Sequence, residues 1–505
     1  MRISGIGAFS PSSVAAARYN PFVMSRLLLF TLLCASMGAA QSVRVTSGAV
    51  DDQVFQRSGA GADIALAGAA QGKAIEARIL RKHEPVRDWA QLATVSGGAW
   101  KGVLSAVPTG GPYRIELRVA GASEPGAVIQ NVLVGDLWVL AGQSNMEGVG
   151  DLVNTPLPSE MVHNFDLSDR WAIAEDPLHN LPGAVDRVHW RKNAQGEVRR
   201  LEGPALAQFI ANRKKGAGLG LPFGLEMARR TGVPVGLVSC AHGGTSMAQW
   251  DPALKDKGGD SLYGAMLRRV RLVGGKVTGV LWYQGESDAN PKAAPVFQNK
   301  FEQFVKAVRD DLLSPGLPFY YVQIGRHVSA AGFVEWNAVQ ESQRLAETTI
   351  PRSGMVASID LSLDDGIHVS TPDHTRLGRR LANLACHDLY PDKAGCGARQ
   401  RGPRPVSAKY AAGEIRVKYD QVNGSLTSEG RIAGFAIHGP DGAPIAGLFK
   451  ARVAADDAST VVLSFGGKLP AGATLRYGVG RDPYCNLRDL ADMAAPVFGP
   501  MPIEQ

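Results

Sequence analysis

The stretch DLWVLAGQSNM, residues 136–146, runs apolar from Leu137 to Ala141, stops at Gly142 and delivers Ser144 into a turn. A short apolar run closed by glycine is the signature of a strand buried on both faces. Outward from it, such runs alternate with helix-length segments: PFGLEMARRTG (222–232), PVGLVSCA (234–241), YGAMLRRVRLVGG (263–275), VTGVLWYQG (277–285), FEQFVKAVRDDLL (301–313), PFYYVQIG (318–325) and HTRLGRRLANLACHDLY (374–390). Parallel neighbours need a crossover, and these crossovers have helical length. The reading is an α/β fold, a doubly wound parallel sheet over residues 131–390. In such sheets ligands bind beyond the carboxyl ends of the strands, where Ser144 would sit.

The flanks have a different texture. DIALAG (63–68), AIEARIL (74–80), YRIELRVAG (113–121) and AVIQNVLVG (127–135) are short strand-like runs punctuated by Gly, Asp and Pro, with Ile115, Leu117 and Val119 on one face. EIRVKYDQV (414–422), IAGFAIHG (432–439), TVVLSFGG (460–467) and TLRYGVG (474–480) repeat that texture. The expectation is an N-terminal β-rich, sandwich-like unit over 41–130 and a second over 400–505. At about 150 residues per domain, three units suit the 505-residue chain.

Before these lies MSRLLLFTLLCASMGAA (24–40), with Arg26, an apolar run and a small-residue end. It reads as a secretory signal within a 1–40 leader, with Met24 as the true start. The apolar run is too short to span a bilayer, which needs about 20 residues. The expected location is secreted or periplasmic, with no membrane association after signal removal. Net charge is +7 and falls to +4 without residues 1–40, so nothing calls for nucleic acid. Export would let disulfides persist, and Cys386 with Cys396 encloses a short Pro/Gly loop suited to one. Cys240, in PVGLVSCA, reads as a small core residue. No Cys/His spacing argues for a metal, and no cofactor is expected.

Residues 148–221 form a long stretch of little periodicity, rich in His, Asp, Trp and Pro. Trp171, His179, His189 and Trp190 suit a substrate-facing aromatic wall, or equally an insertion packed on the α/β domain.

Four turns carry chemistry. Gly142 lets the backbone bend so that the Ser144 amide can face a developing oxyanion. Gly243 and Gly244, after PVGLVSCA, offer unobstructed N–H groups at the same sheet edge. Gln284, after VTGVLWY, carries a neutral amide donor for the same oxygen. Nearby Glu286 lacks the partner that glycoside hydrolysis requires. Asp365 and His368, three apart across a turn, can share a hydrogen bond that orients the imidazole as a base. Asp373–His374 is a competing pair whose adjacent side chains seldom converge. Each turn alone is also what ordinary loop geometry produces; the four together at successive strand ends are specific.

GQSNM, GGTS, WYQGES and the D-x-x-H of DGIHVS resemble the SGNH-hydrolase superfamily and, more narrowly, its sialate O-acetylesterase and carbohydrate-esterase family. The similarity extends through VGLVSCAHGGTSMAQWDP and DGIHVSTPDHTRLGRRLA and into the flanking β units. It implies Ser144 as nucleophile, His368 as general base and Asp365 as its orienter. It also implies an oxyanion hole from Ser144, a glycine of Gly243–Gly244 and the Gln284 side chain, with an acetylated carbohydrate as substrate. Two departures stand out: Gln284 replaces the asparagine of many members, and Val369 follows the histidine where sialate esterases often have proline. The substrate therefore stays open between O-acetylated sialic acid, acetylxylan and other acetylated glycans, and a non-catalytic carbohydrate-binding protein is the reading of another class.

Overall fold

The computed structural model describes residues 43–190, 196–330, 332–397 and 400–505. The expected leader, with Met24 and the run that follows it, lies outside the described residues. The central sheet is built from β1 (Ala127–Gly142), β2 (Val162–Phe165), β3 (Val235–Ser239), β4 (Gly279–Tyr283), β5 (Phe319–Gln323) and β6 (Ser353–Ala357). These run parallel in the order β2-β3-β1-β4-β5-β6, with Trp171–Ile173 antiparallel at the β2 edge. β3, β4, β5 and β6 are buried at every position, which suits their largely apolar sequences. The architecture is mixed α/β with one large mixed sheet.

The helices obey the chemistry of their sequences. α1 (Ser144–Glu147) is a single turn and α2 (Gly203–Ala211) lies exposed. α3 (Gly220–Thr231) ends in Arg229 and Arg230 and a left-handed Gly232, favourable to the negative end of the helix dipole and to chain reversal. α4 (Leu262–Leu272) starts at Ser261, whose side chain accepts the Gly264 N–H. α5 (Phe297–Asp311) buries Phe301, Phe304, Val305 and Val308 on one face. α6 (Val334–Thr349) packs on α5, and α7 (Thr371–Leu389) on α3.

β1 crosses the 130/131 boundary expected from sequence. Its first half pairs with Gly110–Val119 and Val54–Gln56, and its second half lies between β3 and β4. Gly110–Val119 continues to Ala74–Arg81 and Glu84–Thr94, so flanking and central strands make one 11-stranded sheet. Residues Val43–Ser47, Gly61–Ala70 and Ala99–Pro108 form a separate three-stranded sheet. Cys386, in the last turn of α7, is disulfide-bonded to Cys396 beyond it, and an eight-stranded sheet with its own apolar core follows. Cys240 and Cys485 are buried free thiols. Gln41–Gln505 is one compact unit, and no helix among the described residues is long and apolar enough to cross a membrane.

The 148–221 stretch corrects the aromatic-wall expectation. Part of it is core sheet, since it contains β2. Trp171 is buried and packs on Phe165 with ring centroids 5.3 Å apart, and His179 and His189 are wholly enclosed. The buried Arg269 guanidinium of α4 ties the stretch down, donating to Phe165 O, Asp166 O and Asp169 Oδ1. A long aperiodic segment gives no sign of which side chains face inward, and here apolar burial claimed the aromatics.

Candidate active site

Ser144, Gly243, Gly244 and His368 line one cleft of about 820 Å³. Three of its walls are the carboxyl ends of β1, β3 and β4, adjacent strands, with β1 the strand from which the sheet grows in both directions. That is where open α/β sheets hold ligands.

The serine turn is fixed by its backbone. Gln143 N–H donates to Tyr283 O at 2.8 Å, and Gln143 O accepts from Met146 N and Glu147 N. Gly142 has φ +134°, and a Cβ there would come within 2.2 Å of Tyr283 O, so no other residue fits. Neither Ser144 N–H nor Gly244 N–H meets a partner among the described residues. Gly243 differs: its N–H donates to the Glu147 carboxylate at 2.7 Å. A Cβ on Gly243 would lie 2.9 Å from Glu147 Oε2 and 3.3 Å from Ser144 Cβ.

His368 is held by Asp365, whose Oδ2 and Oδ1 lie 2.8 and 2.9 Å from Nδ1. A carboxylate so placed accepts, so Nδ1 carries the proton and Nε2 is left with its lone pair. Asp365 also accepts the backbone N–H of Ile367 and His368 and the Lys215 ammonium at 3.0 Å. Burial opposes its ionisation, but these donors outweigh that and hold the carboxyl well below the usual carboxylate range. No hydrogen bond joins Ser144 Oγ to His368 among the described residues; catalytic contacts often close only when substrate binds.

Asn145 joins the serine turn to the histidine loop. Its Oδ1 accepts Val369 N–H at 3.0 Å, and its Nδ2 donates to Ile367 O at 3.4 Å, so it grips the residue on either side of His368. Nδ2 also donates to Glu286 Oε1 at 2.9 Å, which brings in the β4 turn. Glu286 Oε2 is buried with no hydrogen-bond partner among the described residues, and burial pushes this carboxyl up.

Gln284 is not in the cleft, which corrects its assignment as an oxyanion donor. It is fully buried, and Nε2 donates to Thr245 O at 3.0 Å and Asp288 Oδ2 at 2.6 Å, so both of its hydrogens are committed to holding turns. The competing pair is also set aside. Asp373 accepts from Ser362 and Arg376, while burial lowers the His374 imidazole to about 4. His189 Nδ1 lies 3.2 Å from His242 Nδ1, linking the 148–221 stretch to the glycine turn; burial and then His242 keep it neutral.

Sequence reasoning missed the basic edge formed by Arg213, Lys214 and Lys215. No motif marks them; only the pairing of Lys215–Ala217 with Gly150–Asp151 brings them to the cleft. Among the described residues no group of three or more His, Cys, Asp and Glu side chains is gathered for a metal ion. A hydroxyl, an imidazole tied to a carboxylate and unpaired amide N–H groups in one cleft are the parts that nucleophilic acyl transfer needs.

A probable carbohydrate esterase of Arabidopsis thaliana is 29% identical over 268 residues, 49% of this chain and 88% of its own. The Homo sapiens sialate O-acetylesterase is 24% identical over 380 residues, 68% of this chain and 69% of its own. A carbohydrate acetylesterase from Xanthomonas citri, solved by crystallography, superposes with a TM-score of 0.62 at 23% identity, over 90% of this chain and 99% of that one, which shows a shared fold. The sequence profile of the family described as carbohydrate esterase, sialic acid-specific acetylesterase matches residues 134–387, half of the chain, and with that match the chain belongs to this family.

Proposed function

We propose that this protein is an exported serine esterase that releases acetate from acetylated carbohydrates through an acetyl-serine intermediate. Residues 131–390 would form an SGNH-hydrolase-like domain between β-rich units at 41–130 and 400–505, and residues 1–40 the export signal. In the reaction His368 Nε2 takes the proton of Ser144 Oγ as the oxygen attacks the acetyl carbonyl. The oxyanion is met by Ser144 and Gly244 N–H, and the departing sugar hydroxyl recovers the proton from His368. Water then repeats the sequence on the acetyl-serine. The observation that carries this reading is the grip of Asn145 on both neighbours of His368, because it ties the imidazole to the serine turn.

The basic edge supports an acidic sugar, an O-acetylated sialic acid, over neutral acetylxylan, since exposed Lys214 lies beside the cleft mouth. The test is acetate release from a chromogenic acetate ester, O-acetylated sialic acid and acetylxylan. Ser144→Ala should abolish turnover of all three, and the acidic sugar should show the highest kcat/KM. During wild-type turnover, mass spectrometry should find the acetyl group on the peptide carrying Ser144. Sugar binding without hydrolysis would overturn the enzyme reading.

A further inference from the structure

The Asp365 carboxylate takes most of its contacts from its own turn. Oδ1 accepts the N–H of Ile367 and of His368, and both oxygens face His368 Nδ1. Among the described residues, its partner from outside the turn is Lys215, whose ammonium donates to Oδ2 at 3.0 Å. A turn that satisfies itself can swing as a unit unless something beyond it holds the carboxylate. Lys215 can do so because its own strand is fixed. It stands opposite Asp151 in the pairing of Lys215–Ala217 with Gly150–Asp151, and its ammonium lies 3.6 Å from Asp151 Oδ1. Asp151 N–H in turn donates to Asp364 Oδ2 at 2.8 Å, and Asp151 O accepts the Thr371 hydroxyl. The two-stranded unit is therefore bonded on both sides of the 365–368 turn, and the ammonium stands between two carboxylates.

We infer that Lys215 is a positioning residue: its ammonium pins the Asp365 carboxylate, and through it the His368 imidazole, in the orientation that proton transfer from Ser144 requires. This rests on the esterase reading above. The two side chains are 38% and 36% exposed, and an ion pair so open to water adds little to global stability, so Lys215 can be replaced without unfolding the chain. Its effect is local, since a reacting group misplaced by about 1 Å can cost on the order of 100-fold in rate. Lys215 also lines the cleft, so direct contact with substrate is the rival role. The two differ in kinetics: a group acting through Asp365 changes kcat, and a uniform substrate contact changes KM.

Two variants of the full chain separate these roles. Lys215→Met keeps the length and loses the charge, while Lys215→Arg keeps a cation able to pair with a carboxylate. With an uncharged chromogenic acetate ester, Lys215→Met should lower kcat about tenfold with KM within about threefold of wild type, and Lys215→Arg should restore kcat to within about threefold. Made in an Asp365→Asn background, Lys215→Met should cost less than about twofold more, because the group it acts through is already gone. The inference is overturned by wild-type kcat in Lys215→Met, by a raised KM at unchanged kcat, by an arginine variant as slow as the methionine, or by the full loss recurring beside Asp365→Asn. A wild-type measurement serves if a variant fails to fold: in crystals of enzyme phosphonylated on Ser144, Lys215 Nζ should lie within about 4 Å of an Asp365 oxygen, and a longer separation overturns the inference. Wild-type protein that neither hydrolyses acetyl esters nor takes the phosphonate would sink the esterase reading instead.

Discussion

Asn145 is 1% exposed and holds three groups from two loops, so its loss deprives the buried Val369 N–H of its acceptor and releases Ile367 O and Glu286 Oε1. Asn145→Ala should cost about 1–3 kcal/mol of stability, read by denaturant titration, and more than tenfold in kcat because His368 loses its placement. Glu286 makes an opposite prediction. Its carboxyl is pushed up from 4.5 by burial, so the folded state binds a proton more readily than the unfolded chain, and stability is lost as pH rises through the folded value. Glu286→Gln keeps an acceptor for Asn145 and removes the penalised charge, so its melting temperature should exceed wild type at pH 8 and the gap should close toward pH 4. An equal gap at both values would refute the assignment. That Asp365 and His368 meet was legible, because they stand three positions apart across one turn. The contacts of Asn145 were not: its side-chain partners lie 141 to 224 positions away, and nothing near it in the sequence announces them. Gln284 misled for the same reason, because its buried acceptors exist only once the β3 and β4 turns meet.

Among the elements, the glycine turn after β3 is closely held, wedged between Glu147 and Ser144 Cβ. Gly243→Ala must push one of these aside, and kcat should fall by at least about tenfold with the fold retained, measurable as lost turnover at an unchanged circular dichroism spectrum. The strands and helices of the α/β part were readable because apolar runs of strand length alternate with amphipathic segments such as α5. β2 was not, since Val162–Phe165 is a short run inside a stretch without periodicity. Nor was the continuity of β1, because Gly135 and Asp136 interrupt its apolar pattern. Asp136 belongs there because Arg57 and Tyr390 satisfy its buried carboxylate.

Across the whole molecule, the C-terminal sheet is fastened to the α/β part by buried polar contacts. Gln323, in β5, donates to Val497 O and accepts Val497 N–H, while the enclosed Arg380 of α7 bonds Asp360 and Asp492 O. Cutting the chain at 402 would take Val497 from Gln323 and Asp492 from Arg380, leaving Arg380 only Asp360 and Ala357 O among its partners, and the truncated protein should be recovered insoluble or with a markedly lower melting temperature. A fully stable truncation would show the two parts to be energetically independent. β1 carries a related consequence at the other end. One continuous rod of backbone is both a rung of the N-terminal β region and the support of the Ser144 turn. The leading β region is therefore no detachable cassette: a chimera must be spliced ahead of Ala127, and any graft that replaces that half-strand also re-aims Ser144.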